Sequence, residues 1–116
     1  MKKFIKGYNK VYSIDDQGNV YRYDKLMKPC DNGTGYLQIK LRKNGQRKHI
    51  YIHRLVYETF IGEIPDNYEI NHKDHNKQNN KLSNLELVTR SENLIKAIQF
   101  HGYFGFLKKY ISKYKK

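Results

Sequence analysis

A chain of 116 residues is the size of one domain, and 38% hydrophobic with 14% aromatic residues excludes a disordered tail. The lone Cys30 excludes a disulfide scaffold and a four-thiolate zinc knuckle. Twenty-three Lys and Arg against eleven Asp and Glu leave a formal charge of +12, which points to a polyanionic partner, nucleic acid before a membrane surface. No apolar run approaches the ~18 residues of a membrane span. Met1 to Ile5 is followed at once by Lys6-Gly7, so no signal peptide is legible and an intracellular protein is expected.

In chain order, Val11 to Ile14, the cluster Asp15 to Asn19 and Val20 to Tyr23 read as a hairpin. Asp31 to Gly35 is a second turn. Tyr36 to Leu41 then alternates at period two, with Leu37, Ile39 and Leu41 on one face. Asn44-Gly45 is a strong hairpin turn and His49 to Ile52 a return strand, so residues 4–52 predict one small antiparallel sheet. Leu55, Val56, Thr59 and Phe60 fall at helical spacing and predict a helix over 53–61, stopped by Gly62 and Pro65. Tyr68 to Ile70 reads as a brief strand, residues 73–84 as a polar loop, and Leu85 to Val88 as a second brief strand. Thr89-Arg90-Ser91-Glu92 has the form of a capping box. Leu94, Ile95 and Ile98 give the helix behind it an apolar stripe, ending near Gly102. The tail from Phe104 carries Leu107, Ile111 and Tyr114 among five Lys and reads as a basic amphipathic helix. The fold class expected is α+β, a single domain with an N-terminal β module (4–52), a core (53–101) and a basic tail (102–116).

The chemistry concentrates in residues 67–93. A strand ends in Asn71-His72, a polar loop follows, Asn84 precedes a second strand, and a capped helix carries Asn93 in its first turn. Folded as strand, loop, strand, helix, this unit is expected to bring His72 and Asn93 together, with Asn71 adjacent. An imidazole, amide oxygens and a helix N-terminus make a sensible receptor for a hydrated Mg²⁺ and a phosphate.

Ile52 to Val56, Phe60-Ile61, Asn71 to Asp74, Asn79-Asn80, Asn84-Leu85, Val88-Thr89 and Ser91 to Asn93 resemble the HNH endonucleases of phage and intron type. Asn84 lies twelve positions after His72, and Asn93 nine positions further on. The upstream strands, with Gly18-Asn19-Val20 and Gly35-Tyr36, resemble the small module that often precedes the nuclease in homing endonucleases. The resemblance implies a ββα-metal finger that cuts phosphodiester bonds in DNA. It makes His72 the general base and Asn84 the residue bracing the catalytic loop, with Asn93 and Asn71 holding one Mg²⁺ or Mn²⁺. Asn93 stands where the family name has His, a replacement seen in the homing subgroup. Asn71 stands where many relatives carry Asp, which removes a formal negative charge, and His75 stands where Gly is common.

Charge adds a separate line. From Tyr36 to Val56 there are six Lys or Arg and no acid, and after Glu92 six Lys and no acid. Flanking a candidate active site, both stretches read as phosphate-contacting surfaces. Arg42, Lys43, Arg47 and Lys48 around the Asn44-Gly45 turn form a basic hairpin suited to a groove. With Arg54, Arg90, Lys108 and Lys109 they are the expected contacts to double-stranded DNA. Beyond residue 103 no recognition module is visible, so specificity is loose or comes from a homodimer or protein partner. Two rivals stand beside the nuclease: a DNA-binding protein that kept the fold and lost cleavage, acting as a regulator or inhibitor, and a basic RNA-binding protein. Abundant Lys, Asn, Tyr and Ile fit an AT-rich phage genome.

Overall fold

A computed structural model describes residues 1–96, 98 and 99. Strands β1 (Lys2–Phe4), β2 (Tyr12–Asp15), β3 (Val20–Arg22) and β4 (Lys25–Leu26) form one antiparallel meander. Strands β5 (Cys30–Asp31), β6 (Leu37–Lys43) and β7 (Gln46–Tyr51) form a second. Helix α1 (Ile52–Phe60) follows β7 directly, and β8 (Tyr68–His72) pairs with β9 (Leu85–Thr89) as a separate hairpin. Residues 90–96 are helical.

The single sheet expected over residues 4–52 is therefore two sheets. Residues 27–29 separate β4 from β5, and Pro29 has no amide proton to continue a ladder. A tight reversal at Tyr23-Asp24 also brings Arg22 opposite Lys25. Tyr23 takes φ +51°, a conformation no sequence pattern advertises for an aromatic residue. The Asn44-Gly45 expectation holds: φ values of +52° and +76° are those of a two-residue primed turn, with Lys43 opposite Gln46.

One apolar cluster joins all parts. Ile14 and Val20 of the first sheet, Ile39 and Leu41 of the second, Ile52, Leu55 and Val56 of α1, and Ile70 and Leu85 of the β8–β9 hairpin are buried together. Helix α1 packs against β1, β2, β6, β7 and β8, so it is the element about which the sheets are arranged. Tyr12 adds a polar stitch, its hydroxyl accepting the Arg42 amide at 3.0 Å across the two sheets.

The β8–β9 hairpin has two faces, and which residue faces where decides the site. Directly opposed residues of an antiparallel pair share a face and neighbours alternate. Ile70 with Leu87 and His72 with Leu85 face the core; Glu69 with Val88 and Asn71 with Glu86 face the helix at 90–96. That helix begins as expected: the Glu92 amide donates to Thr89 Oγ1 at 3.1 Å, and the hydroxyl donates to Glu92 Oε1 at 3.1 Å. Its apolar stripe faces inward only in part: Leu94 is half-buried, whereas Ile95 is 54% and Ile98 37% exposed. Arg90, Asn93 and Lys96, spaced by three, meet Glu69 and Glu86 instead, so ion pairs and a hydrogen bond set the rotation of this helix.

Candidate functional site

The loop between β8 and β9 is built by Asp74. Its carboxylate accepts from the Asn76 amide at 2.9 Å, Asn79 Nδ2 at 2.8 Å and Asn84 Nδ2 at 2.9 Å. These donors, that of Asn79 foremost, hold its carboxyl well below the ordinary range, at about 2. Asn84 closes the loop from the other end. It accepts the Asp74 amide at 3.1 Å, donates to the Asn79 carbonyl at 2.9 Å, and its own carbonyl takes the Lys73 amide at 2.8 Å. Asn84 thus ties both ends of the loop, the arrangement a bracing residue requires. His75 adopts φ +61° and donates its amide to the His72 carbonyl at 2.9 Å, so the turn where Gly is common forms with His.

His72 ends β8 with 5% exposure, its ring 5.1 Å from that of His53 and 6.0 Å from that of Tyr36. Burial pushes its imidazole below the ordinary value, against opposing contributions from Asn80 and Asp74. Nε2 lies 2.8 Å from Asn80 Oδ1. An amide oxygen can only accept, so Nε2 carries the proton and the lone pair resides on Nδ1. A neutral imidazole with a defined tautomer is the form a general base needs.

Asn71 and Asn93 lie on the hairpin's other face, each held by a carboxylate. Asn71 Nδ2 donates to Glu86 Oε1 at 2.8 Å, and Asn93 Nδ2 donates to Glu69 Oε2. Glu86 also meets Lys96 at 3.2 Å, and Glu69 meets Arg90 at 3.5 Å. The Asn71 amide first, then Lys96 and Lys73, hold the Glu86 carboxyl below its ordinary value. The two amides spend their N–H groups on acids and keep their oxygens, which with Glu69 and Glu86 suit a hard, largely hydrated cation. Among the described residues no three His, Cys, Asp or Glu converge on one point. A shallow cleft beside Asn71 is lined by Lys73, His75, Glu86, Lys96 and Gln99.

No hydrogen bond or ring contact among the described residues joins His72 to Asn93 directly. Asn93 meets β8 at Glu69, on the face that also carries Asn71, while His72 at the end of the strand faces the core. The structure brings Asn71 and Asn93 to one face and turns His72 to the other. Strand alternation is the reason, and an adjacent pair in sequence cannot escape it within a regular strand.

Comparison with known proteins bears on this arrangement. Residues 50–95 match the HNH endonuclease family model, and residues 3–42 match the NUMOD4 motif. The DNA endonuclease I-HmuI of Bacillus phage SP01 is 37% identical over 94 residues, covering 79% of this chain and 54% of that protein. An uncharacterised HNH endonuclease of Acanthamoeba polyphaga mimivirus is 44% identical over 94 residues, covering 78% of this chain and 28% of that protein. A solved structure of the HNH homing endonuclease I-HmuI, from work on its DNA binding and cleavage, superposes with a TM-score of 0.83 at 32% identity. It covers 99% of this chain and 67% of that chain. The chain belongs to the HNH endonuclease family. It spans about half or less of the length of the two curated relatives just named.

Within this HNH unit the basic residues separate into groups. Arg42 and Arg47 face each other across β6–β7 and are exposed, as are Lys43 and Lys48. Together with Lys6 and Tyr8, Lys43, Arg47 and Lys48 line an open cleft along the hairpin. Arg54 is paired with Glu58 at 3.8 Å on α1, and Arg90 with Glu69, so either must leave a carboxylate to meet a phosphate. Lys108 and Lys109, and with them the expected tail helix, lie outside the described residues. Sequence reasoning gave no role to Asn80 or to the side chain of Asp74, although both stand in the matched motif. The Asp-x-Asn spacing of Asp74 and Asn76, typical of an Asx turn, was the available signal for the second. Nothing local marks Asn80, whose burial at 4% exposure depends on the N-terminal module.

Proposed function

We propose that this chain is a metal-dependent DNA endonuclease, in which His72 takes the proton of the attacking water. The observation that supports it most is the likeness over 99% of the chain to I-HmuI, a DNA endonuclease, together with the in-register HNH match. Water gives its proton to His72 Nδ1 as its oxygen bonds to phosphorus, and the bond to the leaving oxygen breaks. A positioned base of this kind contributes typically ~10²–10⁴-fold. Asn84 keeps the loop shut behind the base, and Asn80 keeps its tautomer. HNH endonucleases generally use a divalent ion; here Asn71 and Asn93 would hold Mg²⁺ or Mn²⁺ through their amide oxygens. When bound, the ion steadies negative charge at the phosphoryl group and the leaving oxygen. The exposed cations of β6–β7 take the duplex backbone. The N-terminal module and the HNH core act as one unit, since one buried cluster runs through both. No helix among the described residues is long and apolar enough to cross a membrane, and phage and viral relatives fit a protein acting on DNA inside an infected cell.

One observation favours a second reading, a duplex-binding protein without cleavage: the His72 side chain is nearly buried. Supercoiled plasmid incubated with Mg²⁺ or Mn²⁺ decides between them. Nicking that stops in a chelator and in His72→Ala, with duplex binding retained, is the expected result. Duplex binding by the wild type with no nicking under any divalent ion establishes the second reading.

A further inference from the structure

We infer that the Asp15–Asn19 turn of the NUMOD4 segment is a positioning element for His72, acting through Gly18 on Asn80 and through Asn80 on the imidazole. The inference rests on the role given to His72 above.

Asn80 presents its side-chain oxygen to His72 Nε2 at 2.8 Å. Its other side is closed by Gly18. A Cβ placed on Gly18 would stand 3.0 Å from Asn80 Cβ, 3.1 Å from its carbonyl oxygen and 3.3 Å from its carbonyl carbon. Two of these partners are backbone atoms, which cannot swing aside as a flexible side chain would. Gly18 also has φ +88°, where a side chain is strained whatever the space. Any other residue at 18 therefore pushes Asn80 away from its seat.

The turn is too well held to give way instead. The Asp15 carboxylate accepts from the Gln17 amide at 3.0 Å, the Asn19 amide at 2.9 Å, Asn19 Nδ2 at 3.1 Å and Tyr21 Oη at 3.1 Å. Burial alone would push this carboxyl up, but these bonds together hold it below its ordinary value. The Asp15 amide also donates to the Asn19 carbonyl at 3.0 Å, and the Gly18 amide to the Asp15 carbonyl at 3.2 Å. On the same turn the Asp16 carbonyl accepts the Leu82 amide at 2.8 Å, two residues beyond Asn80. The HNH loop is thus docked on this turn at both Asn80 and Leu82, and the two family segments meet where the base receives its orientation.

The test compares Gly18→Ala with Gly33→Ala in the full chain. Gly33 has φ +98° and nothing within 4 Å of an added Cβ, so it carries the same backbone strain without the contact. Gly18→Asn is made as well, because Asn tolerates positive φ while bringing the same Cβ. The first readout is the ¹⁵N spectrum of the His72 imidazole, which reports the ring nitrogen that holds the proton. The wild type and Gly33→Ala should show Nε2–H. Asn80→Ala, Gly18→Ala and Gly18→Asn should show a mixture of tautomers, and Asn80→Asp, which keeps an acceptor, should restore the wild-type pattern. The second readout is single-turnover nicking at saturating protein, expected to fall on the order of 10²-fold in the folded Gly18 variants, with duplex affinity unchanged. A wild-type tautomer in both Gly18 variants, or an equal disturbance in Gly33→Ala, overturns the inference. If the tautomer responds as described but the wild type never nicks, the positioning stands and the nuclease reading fails.

Discussion

At His72 burial opposes the charge that neighbouring Asp74 and the Asn80 oxygen would favour, and burial is the larger influence. Protonating the ring costs more in the folded chain than in the unfolded one. Stability is therefore whole above the ordinary value of 6.5 and drains as pH falls below it toward the lowered folded value. His72→Leu should flatten that part of the stability–pH curve, as followed by urea unfolding at several pH values. Asp74 works in a lower window. Its stabilisation is full above the ordinary 3.8 and is lost as pH falls toward about 2. Asn84→Asp would set a second carboxylate 2.9 Å from that of Asp74. This variant should be destabilised at neutral pH and should recover on mild acidification, the reverse of the wild type. A denaturation series from pH 7 to pH 4 in which the variant only loses stability would contradict the assignment of Asn84 Nδ2 to Asp74.

The elements carry a different set of consequences. Leu41 is fully buried where β6 meets the common cluster, so Leu41→Ala should cost ~2–5 kcal/mol, measured by urea unfolding. His75 holds a left-handed conformation in the loop, and His75→Gly should relieve it, offset in part by the added freedom of glycine in the unfolded chain. The expected net gain is at most ~1 kcal/mol by the same measurement. Elements with strong local codes were legible in the sequence: the Asn44-Gly45 hairpin, α1 to within one residue at each end, both strands of the β8–β9 hairpin, and the Thr89 cap. Less legible was what depends on neighbours distant in sequence. The sheet divides at Pro29 and reverses at Tyr23, and the rotation of the helix at 90–96 is set by Glu69 and Glu86. The site divided in the same way. Asn84 closing the loop followed from the motif, whereas Asn80 gains its position from Gly18, sixty-two residues earlier, and no short-range pattern encodes that.

For the whole molecule, charge and fold point the same way. The acid-free stretch from Tyr36 to Val56 folds into β6, β7 and the start of α1, with Arg42, Lys43, Arg47 and Lys48 exposed on one hairpin. Replacing Arg42 and Arg47 with Ala should weaken duplex binding evenly across sequences. Each lost phosphate contact should also lower the slope of log K against log salt by ~0.9. Single-turnover nicking at saturating protein should be unaffected. The most direct test of His72 as the base is the pH dependence of that single-turnover rate. With His72 as a buried, neutral base, the wild type should lose activity only in acid, with a midpoint below 6.5, and His72→Ala should be slower by ~10²–10⁴-fold and lack that acid limb. An acid limb that survives intact in His72→Ala, or a nicking rate equal to the wild type, would contradict it.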